Sequence, residues 1–256
     1  IMYIGVPGAG KGVYRSADSG ATWTRINANA AGDANGIGLE ALDGVDADGV
    51  SGADNLGDDI SRAIRIRLAI HDNAGVRAVY AALVGPTQAT GAGSGAYVFR
   101  SAGVGATPSW QSIGEPISND QFWTDANNDN AAQAAEVVPQ SNPINPSGQV
   151  GGSGSQHLSF VADRTLPNVV YIGGDTGPSV SAGNRFFPAH DSAGIGGGVG
   201  RLFRYDGPTN QWGQVVGNDN PNTPVVIEGA RGTAPHADSR NMAFDVNNTL
   251  IEVDDG

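Results

Sequence analysis

Cysteine is absent from the 256 residues, and lysine occurs once, at Lys11. The first absence excludes disulfides, thiolate metal sites and cysteine nucleophiles. The second accompanies a thin supply of positive charge. Lys and Arg together number 14 against 26 Asp and Glu, a formal net charge of -12. That is too little cation to release the counterions of a nucleic acid, so a nucleic-acid partner is not expected. No apolar run reaches the length of a membrane span. What is plentiful is glycine, 39 residues, with runs such as Gly194-Ile-Gly-Gly-Gly-Val-Gly200. Such punctuation favours short strands and many turns over helices. The length allows one sizeable core or two small ones. Acidic, Asp-rich loops suit calcium and an extracellular setting.

The opening segment, Gly5-Val-Pro-Gly-Ala-Gly-Lys11, has the outline of a phosphate-binding loop. That chemistry needs a Ser or Thr after the Lys to hold the metal, and a helix whose first amides face the phosphates. Here Gly12-Val13 follows, and Val13-Tyr-Arg-Ser16 is β-branched and aromatic, ahead of a turn at Gly20. The segment is therefore expected to be a glycine-rich connection between two strands.

Three short patterns recur in fixed order. An apolar strand A is expected at Arg67-Leu-Ala-Ile-His71, His157-Leu-Ser-Phe-Val161 and Asn241-Met-Ala-Phe-Asp245. A strand B follows at Ala78-Val-Tyr-Ala-Ala82, Val169-Val-Tyr-Ile-Gly173 and Thr249-Leu-Ile-Glu-Val253, with a further copy at Ile1-Met-Tyr-Ile-Gly5. A strand C lies at Gly12-Val-Tyr-Arg-Ser16, Ala96-Tyr-Val-Phe-Arg-Ser101 and Gly200-Arg-Leu-Phe-Arg-Tyr205. Each C leads to a Trp (Trp23, Trp110, Trp212) that opens a strand D. A repeated four-stranded unit is the blade of a β-propeller. The expected fold is all-β: a partial propeller with two complete and two partial blades, at 1–26, about 65–113, about 156–216 and about 240–256. Ile1 falls within one strand pattern and Gly256 just after another, so further blades are expected to lie outside these residues.

Between C and D the first copy reads Ser16-Ala-Asp-Ser-Gly-Ala-Thr-Trp23. This resembles the Asp-box, or bacterial neuraminidase repeat, of sialidases, sortilin-type receptors and xyloglucanase-type hydrolases. The later copies are eroded: 101–110 lacks the Asp, and 205–212 keeps the outline. The resemblance covers the strand ladder, somewhat under half the chain, and none of the insertions. An Asp-box is structural and implies no activity. Its local chemistry is a carboxylate accepting turn amides, a Gly at positive φ and a Trp packed between sheets.

In such a ring the A-to-B and C-to-D connections leave by one face and the D-to-A and B-to-C connections by the other. The former are short. The latter, at 27–65, 114–156, 174–199 and 217–240, are long, and loops of that length commonly carry function. One contains Asp125-Ala-Asn127-Asn-Asp129-Asn130-Ala131-Ala-Gln133-Ala-Ala-Glu136. Its oxygen ligands fall at calcium-loop spacing, with the Ala131 carbonyl seventh and Glu136 twelfth. Asn130 stands where Gly is preferred. An exiting helix is expected from Ala131 to Val138. The acidic stretch from Asp43 to Asp59 lacks the terminal Glu and reads as solvated loop. His71, His157, His190 and His236 show no metal-ligand spacing, which argues against zinc.

The sialidase likeness would require an arginine cluster for a substrate carboxylate, and Arg65, Arg67, Arg164, Arg201, Arg204, Arg231 and Arg240 supply candidates. A hydrolase of xyloglucanase type needs two carboxylates across a cleft. Asp254 and Asp255 end a B strand on the insertion side, and Asp175 holds the matching place one blade earlier. Phe122 and Trp123 offer rings for stacking on a sugar. The expectation is a non-catalytic, extracellular binding or scaffolding module, calcium-assisted, within a larger bacterial secreted or surface protein. Its partners would be other domains of the same chain, a carbohydrate or a surface protein. The alternative is a glycoside hydrolase fragment.

Overall fold

The computed structural model describes residues 1–7, 12–27, 63–73, 75–84, 96–102, 109–124, 137–143, 157–176, 184–186, 200–216 and 239–254. Every element among them is a β-strand, and all pairings are antiparallel. No described helix is long and apolar enough to cross a membrane.

The first sheet has the order β1 (Met2–Val6), β2 (Gly12–Ser16), β3 (Thr24–Arg25). The second runs β4 (Arg65–Asn73), β5 (Val76–Val84), β6 (Ala96–Ala102), β7 (Ser109–Ser112). The third runs β10 (Ser159–Ala162), β11 (Val169–Thr176), β13 (Gly200–Asp206), β14 (Gln211–Val216). The fourth pairs β15 (Asn241–Phe244) with β16 (Leu250–Val253). A fifth sheet is drawn from two of the long insertions: β8 (Ile117–Thr124) lies between β9 (Val137–Pro143) and β12 (Asn184–Phe186). The repeat pattern gave no sign of this last sheet.

Three sheets share one register. Tyr3 pairs with Arg15 and Arg15 with Thr24. Tyr80, Arg100 and Gln111 repeat the row in the second sheet, and Tyr171, Arg204 and Gly213 in the third. This matches the expected alignment of the B, C and D strands. One A strand is displaced. His71 pairs with Ala78 and Ala162 with Val170, so position 71 corresponds to Asp163 and position 67 to Ser159. The second copy of strand A is therefore 159–163, two residues beyond the expected 157–161. A shift of two leaves every side chain on its own face, so alternation could not detect it.

Because strand residues alternate between faces, a sheet packed on both sides needs apolar residues at every position. The second sheet shows this. Val79, Ala81, Leu83, Tyr97, Phe99 and Trp110 pack with Val13 and Ile26 of the first sheet. Ala78, Tyr80, Ala82, Val84, Ala96 and Val98 pack with Leu158, Phe160, Val170, Ile172 and Phe203 of the third. Leu202 and Val215 of the third sheet meet Met242 of the fourth. Each large side chain fully buried in this way contributes about 1.5–3 kcal/mol.

The turns show how sequence fixes the hairpins. Asp18 Oδ1 accepts the Thr22 amide at 2.9 Å, Asp18 Oδ2 accepts the Thr22 hydroxyl at 2.6 Å, and Ser16 Oγ accepts the Gly20 amide at 2.8 Å. Gly20 has φ of 95°, a conformation that favours glycine. The connection from β4 to β5 is short, as expected, since pairing continues to Asn73 and Val76. Gly12 to Ser16 is strand, as expected against a phosphate-binding loop; residues 8–11 lie outside those described.

Candidate functional site

Strands β4 and β15 each pack against β10, and Arg67 ties the three sheets together. Its Nε donates to the Leu158 carbonyl at 2.9 Å and its Nη2 to the Arg240 carbonyl at 3.0 Å. One side chain thus holds three sheets, because a guanidinium carries donors in a planar fork. Arg65 lies two residues earlier on the same face of β4. Burial pulls its guanidinium down to about 10, and the positive charges of Arg67 and Arg240 add to that. Burial also lowers Arg67. Three cations therefore gather near the start of β4.

Hydroxyls and carboxyls lie beside them. Ser159 and Ser239 are buried and share a hydroxyl–hydroxyl hydrogen bond. Glu252 is half-buried in β16, directly across from Met242. Burial raises its carboxyl above the ordinary range, a hydrogen bond from Ser239 opposes the shift, and the charge of Asp254 adds to it. Glu252 Oε1 is out of contact with solvent and has no hydrogen-bond partner among the described residues. Sequence reasoning passed over Glu252. The signal was present, because its equivalents by register are Ile4, Ala81 and Ile172. A carboxyl where the repeat sets an aliphatic is the mark of a changed task.

Of the expected carboxylates, Asp254 lies next to this group and acts on Glu252. Asp255 lies outside the described residues. Asp175 is in β11, paired with Arg201 across a register shift at which Gly174 is the extra residue, with φ of 119°. The expected metal ligands Asp125, Asn127, Asp129, Ala131 and Glu136 all lie outside the described residues, as do His190, His236 and the stretch 43–59. The strands on either side of 125–136 are described. Val137 and Val138 belong to β9, paired with Trp123 and Phe122, which corrects the last two residues of the expected exiting helix; residues 131–136 lie outside those described. Two β-branched residues followed by Pro139 disfavour a helix there. Among the described residues no group of three His, Asp or Glu converges as a metal site.

His71 is buried and its Nδ1 stands 2.7 Å from the Asp163 carbonyl. A carbonyl can only accept, so Nδ1 carries the proton and the ring serves as a tie between sheets. Arg164 lies toward the other end of β4, donating to the Asp245 carbonyl at 2.6 Å. There a cavity of about 430 Å³ is lined by Ile70, Asp72, Arg164, Thr165, Val246 and Asn248, among others. Comparison with protein-family models, with curated proteins and with solved structures found no match to this chain.

Proposed function

We propose that this chain is a β-propeller module of Asp-box type that binds an extracellular, carboxylate-bearing polysaccharide at the insertion end of its axis. The observation that carries this reading is the gathering of Arg65, Arg67 and Arg240 beside Glu252 and two serine hydroxyls. Guanidinium forks suit carboxylates, while carboxyls and hydroxyls suit the hydroxyls of a sugar. The ring reading is supported by the common register of three sheets and by Arg67 bridging three innermost strands. In a chain of net charge -12, three of the 14 basic residues meet at one point. Calcium, held by the 125–136 loop, would order the insertion side.

Binding of the 256-residue chain to polygalacturonate and to a neutral glucan tests the site. Polygalacturonate should bind, and Arg65→Ala with Arg240→Ala should weaken it by about tenfold or more. Equal binding of both polymers, unaffected by the substitutions, would sink the reading. Calcium should raise the melting temperature of the wild type and do so much less in Glu136→Gln.

A second reading, glycoside hydrolysis, is favoured by one observation. Glu252 is raised by burial and stands near a second carboxyl group, Asp254, and hydrolysis of a glycoside uses a pair of carboxyls. Release of new reducing ends from the same polymer, lost in Glu252→Gln with binding retained, would select hydrolysis over binding alone.

A further inference from the structure

The turn that joins β15 to β16 reads Asp245-Val-Asn-Asn-Thr249. Asn247-Asn-Thr249 is the sequence's one Asn-X-Thr or Asn-X-Ser triplet with no proline inside it. Such a triplet is the acceptor of N-linked glycosylation, which takes place at exposed surface loops. Val246 is 92% exposed, and Asn247, Asn248 and Thr249 are all exposed. This exposure belongs to the tip of the hairpin. The second sheet is packed on both faces, yet its β4–β5 turn is exposed as well, at Asp72, Asn73, Gly75 and Val76. So is the turn between β10 and β11, at Arg164, Thr165 and Leu166.

Asp245 and Thr249 hold this turn. Asp245 Oδ1 accepts the amides of Asn247 at 2.8 Å and of Thr249 at 2.7 Å. The first sheet's turn uses Asp18 and Thr22 at the same spacing. The middle residue there is Gly20, without a side chain. Here it is Asn247, while Asn248 takes the left-handed position with φ of 64°. Asn247 Nδ2 reaches Asp245 Oδ2 only at 3.4 Å, beyond the usual length of such a bond. The turn therefore closes without this amide. Its side-chain hydrogen bonds are exposed to solvent, which places it among the segments that open locally. Once the segment is extended, residues 245, 247 and 249 fall on one side of the chain, because side chains alternate. A carboxyl, an amide and a hydroxyl are then presented together.

We propose that Asn247 is a site of N-linked glycosylation, read by an oligosaccharyltransferase as carboxyl, amide and hydroxyl at alternate positions. The donor is an oligosaccharide carried on a polyisoprenyl diphosphate. Asn247 Nδ2 bonds to the anomeric carbon of the first sugar, and the bond from that carbon to the diphosphate oxygen breaks. The polyisoprenyl diphosphate leaves with the electron pair. Nδ2 gives up one proton to a base of the transferase, and nothing is oxidised or reduced. The inference is independent of the ligand reading above, since Arg240 precedes β15 and this turn follows it.

The test uses the purified, folded 256-residue chain. It is incubated with a lipid-linked oligosaccharide and a bacterial oligosaccharyltransferase of the kind that requires an acidic residue at the second position before the asparagine. Intact-mass spectrometry should show a gain of one oligosaccharide, and peptide mapping should place it on Asn247. Asn247→Gln should gain nothing. Thr249→Val should also gain nothing, because valine keeps the amide that Asp245 holds and lacks the hydroxyl. Thr249→Ser should be modified as the wild type is. Far-UV circular dichroism checks that each variant is folded. A wild type left unmodified while an acceptor peptide in the same reaction is modified would overturn the proposal. So would a gain of mass retained in Asn247→Gln.

Discussion

Trp110 donates its indole N–H to the main-chain carbonyl of Ile26 across 2.7 Å, inside the seam between the first two sheets. Trp212 makes the same bond to Ile113 at 2.8 Å in the next seam. Ile26 and Ile113 each stand three residues beyond their own sheet's Trp. One contact is thus handed from sheet to sheet, and the spacing of Trp to Ile in the D strands is what makes it repeat.

Removing that donor leaves a buried carbonyl without a partner. Trp110→Phe should therefore destabilise the chain by about 1–3 kcal/mol from the lost bond, with a further loss from the smaller ring. Trp212 is half-buried, so Trp212→Phe should cost less. Urea unfolding of both variants measures the difference. Equal, negligible losses would show that these bonds are not what closes the seams.

Arg67→Lys separates charge from geometry. Lysine keeps the positive charge, yet its single ammonium cannot reproduce a fork aimed at Leu158 and Arg240 together. A loss of about 1–2 kcal/mol is expected, along with faster amide exchange in β15, whose tie to β4 would be weakened. Unchanged exchange in β15 would mean that Arg67 does not hold the fourth sheet.

Two glycines with positive φ offer an internal comparison. A Cβ on Gly174 would meet the His157 carbonyl oxygen at 2.6 Å and Leu158 Cα at 2.7 Å, both backbone. One on Gly75 would meet nothing within 4 Å. Gly75→Ala should therefore cost only the backbone strain of about 1–2 kcal/mol, and Gly174→Ala distinctly more. Thermal melts of the two variants check the order.

The strands, their pairing order and the B, C and D registers were legible because Tyr, Arg and Trp recur at fixed spacing within short segments. Strand A was misplaced by two residues in one copy, because alternation is blind to even shifts. The fifth sheet was not legible at all. It pairs strands from two separate insertions, with Phe122 and Phe186 opposite each other in the backbone register, a pairing that no local pattern encodes. Glu252 was hidden in another way, since it becomes conspicuous only once its register partners are known to be aliphatic. Asp254 was found by its place at the end of a strand, while the arginines that meet near it could be counted but not sorted.

Protonation should act on this chain in two opposite directions. Hydrogen bonds from the Thr22 hydroxyl and amide and from Ser16 hold Asp18 well below its ordinary value of 3.8. The Thr249 amide, then Asn247, lowers Asp245 in the same way. A carboxyl depressed by folding contributes stability that is present above the unfolded value and is lost as pH falls below it. Stability should therefore decline as pH drops below about 4, and the decline should be shallower in Asp18→Asn and Asp245→Asn. Glu252 works the other way. Its folded value lies above the ordinary 4.5, so its contribution is full below that pH and is lost as pH rises through the folded value. Glu252→Gln should flatten this second branch and leave the acid branch intact. Urea midpoints across the acidic range, compared for the wild type and the three variants, read both branches. A Glu252→Gln curve parallel to the wild type above pH 4.5 would show that its carboxyl is not held out of solvent, and would remove it from the candidate site.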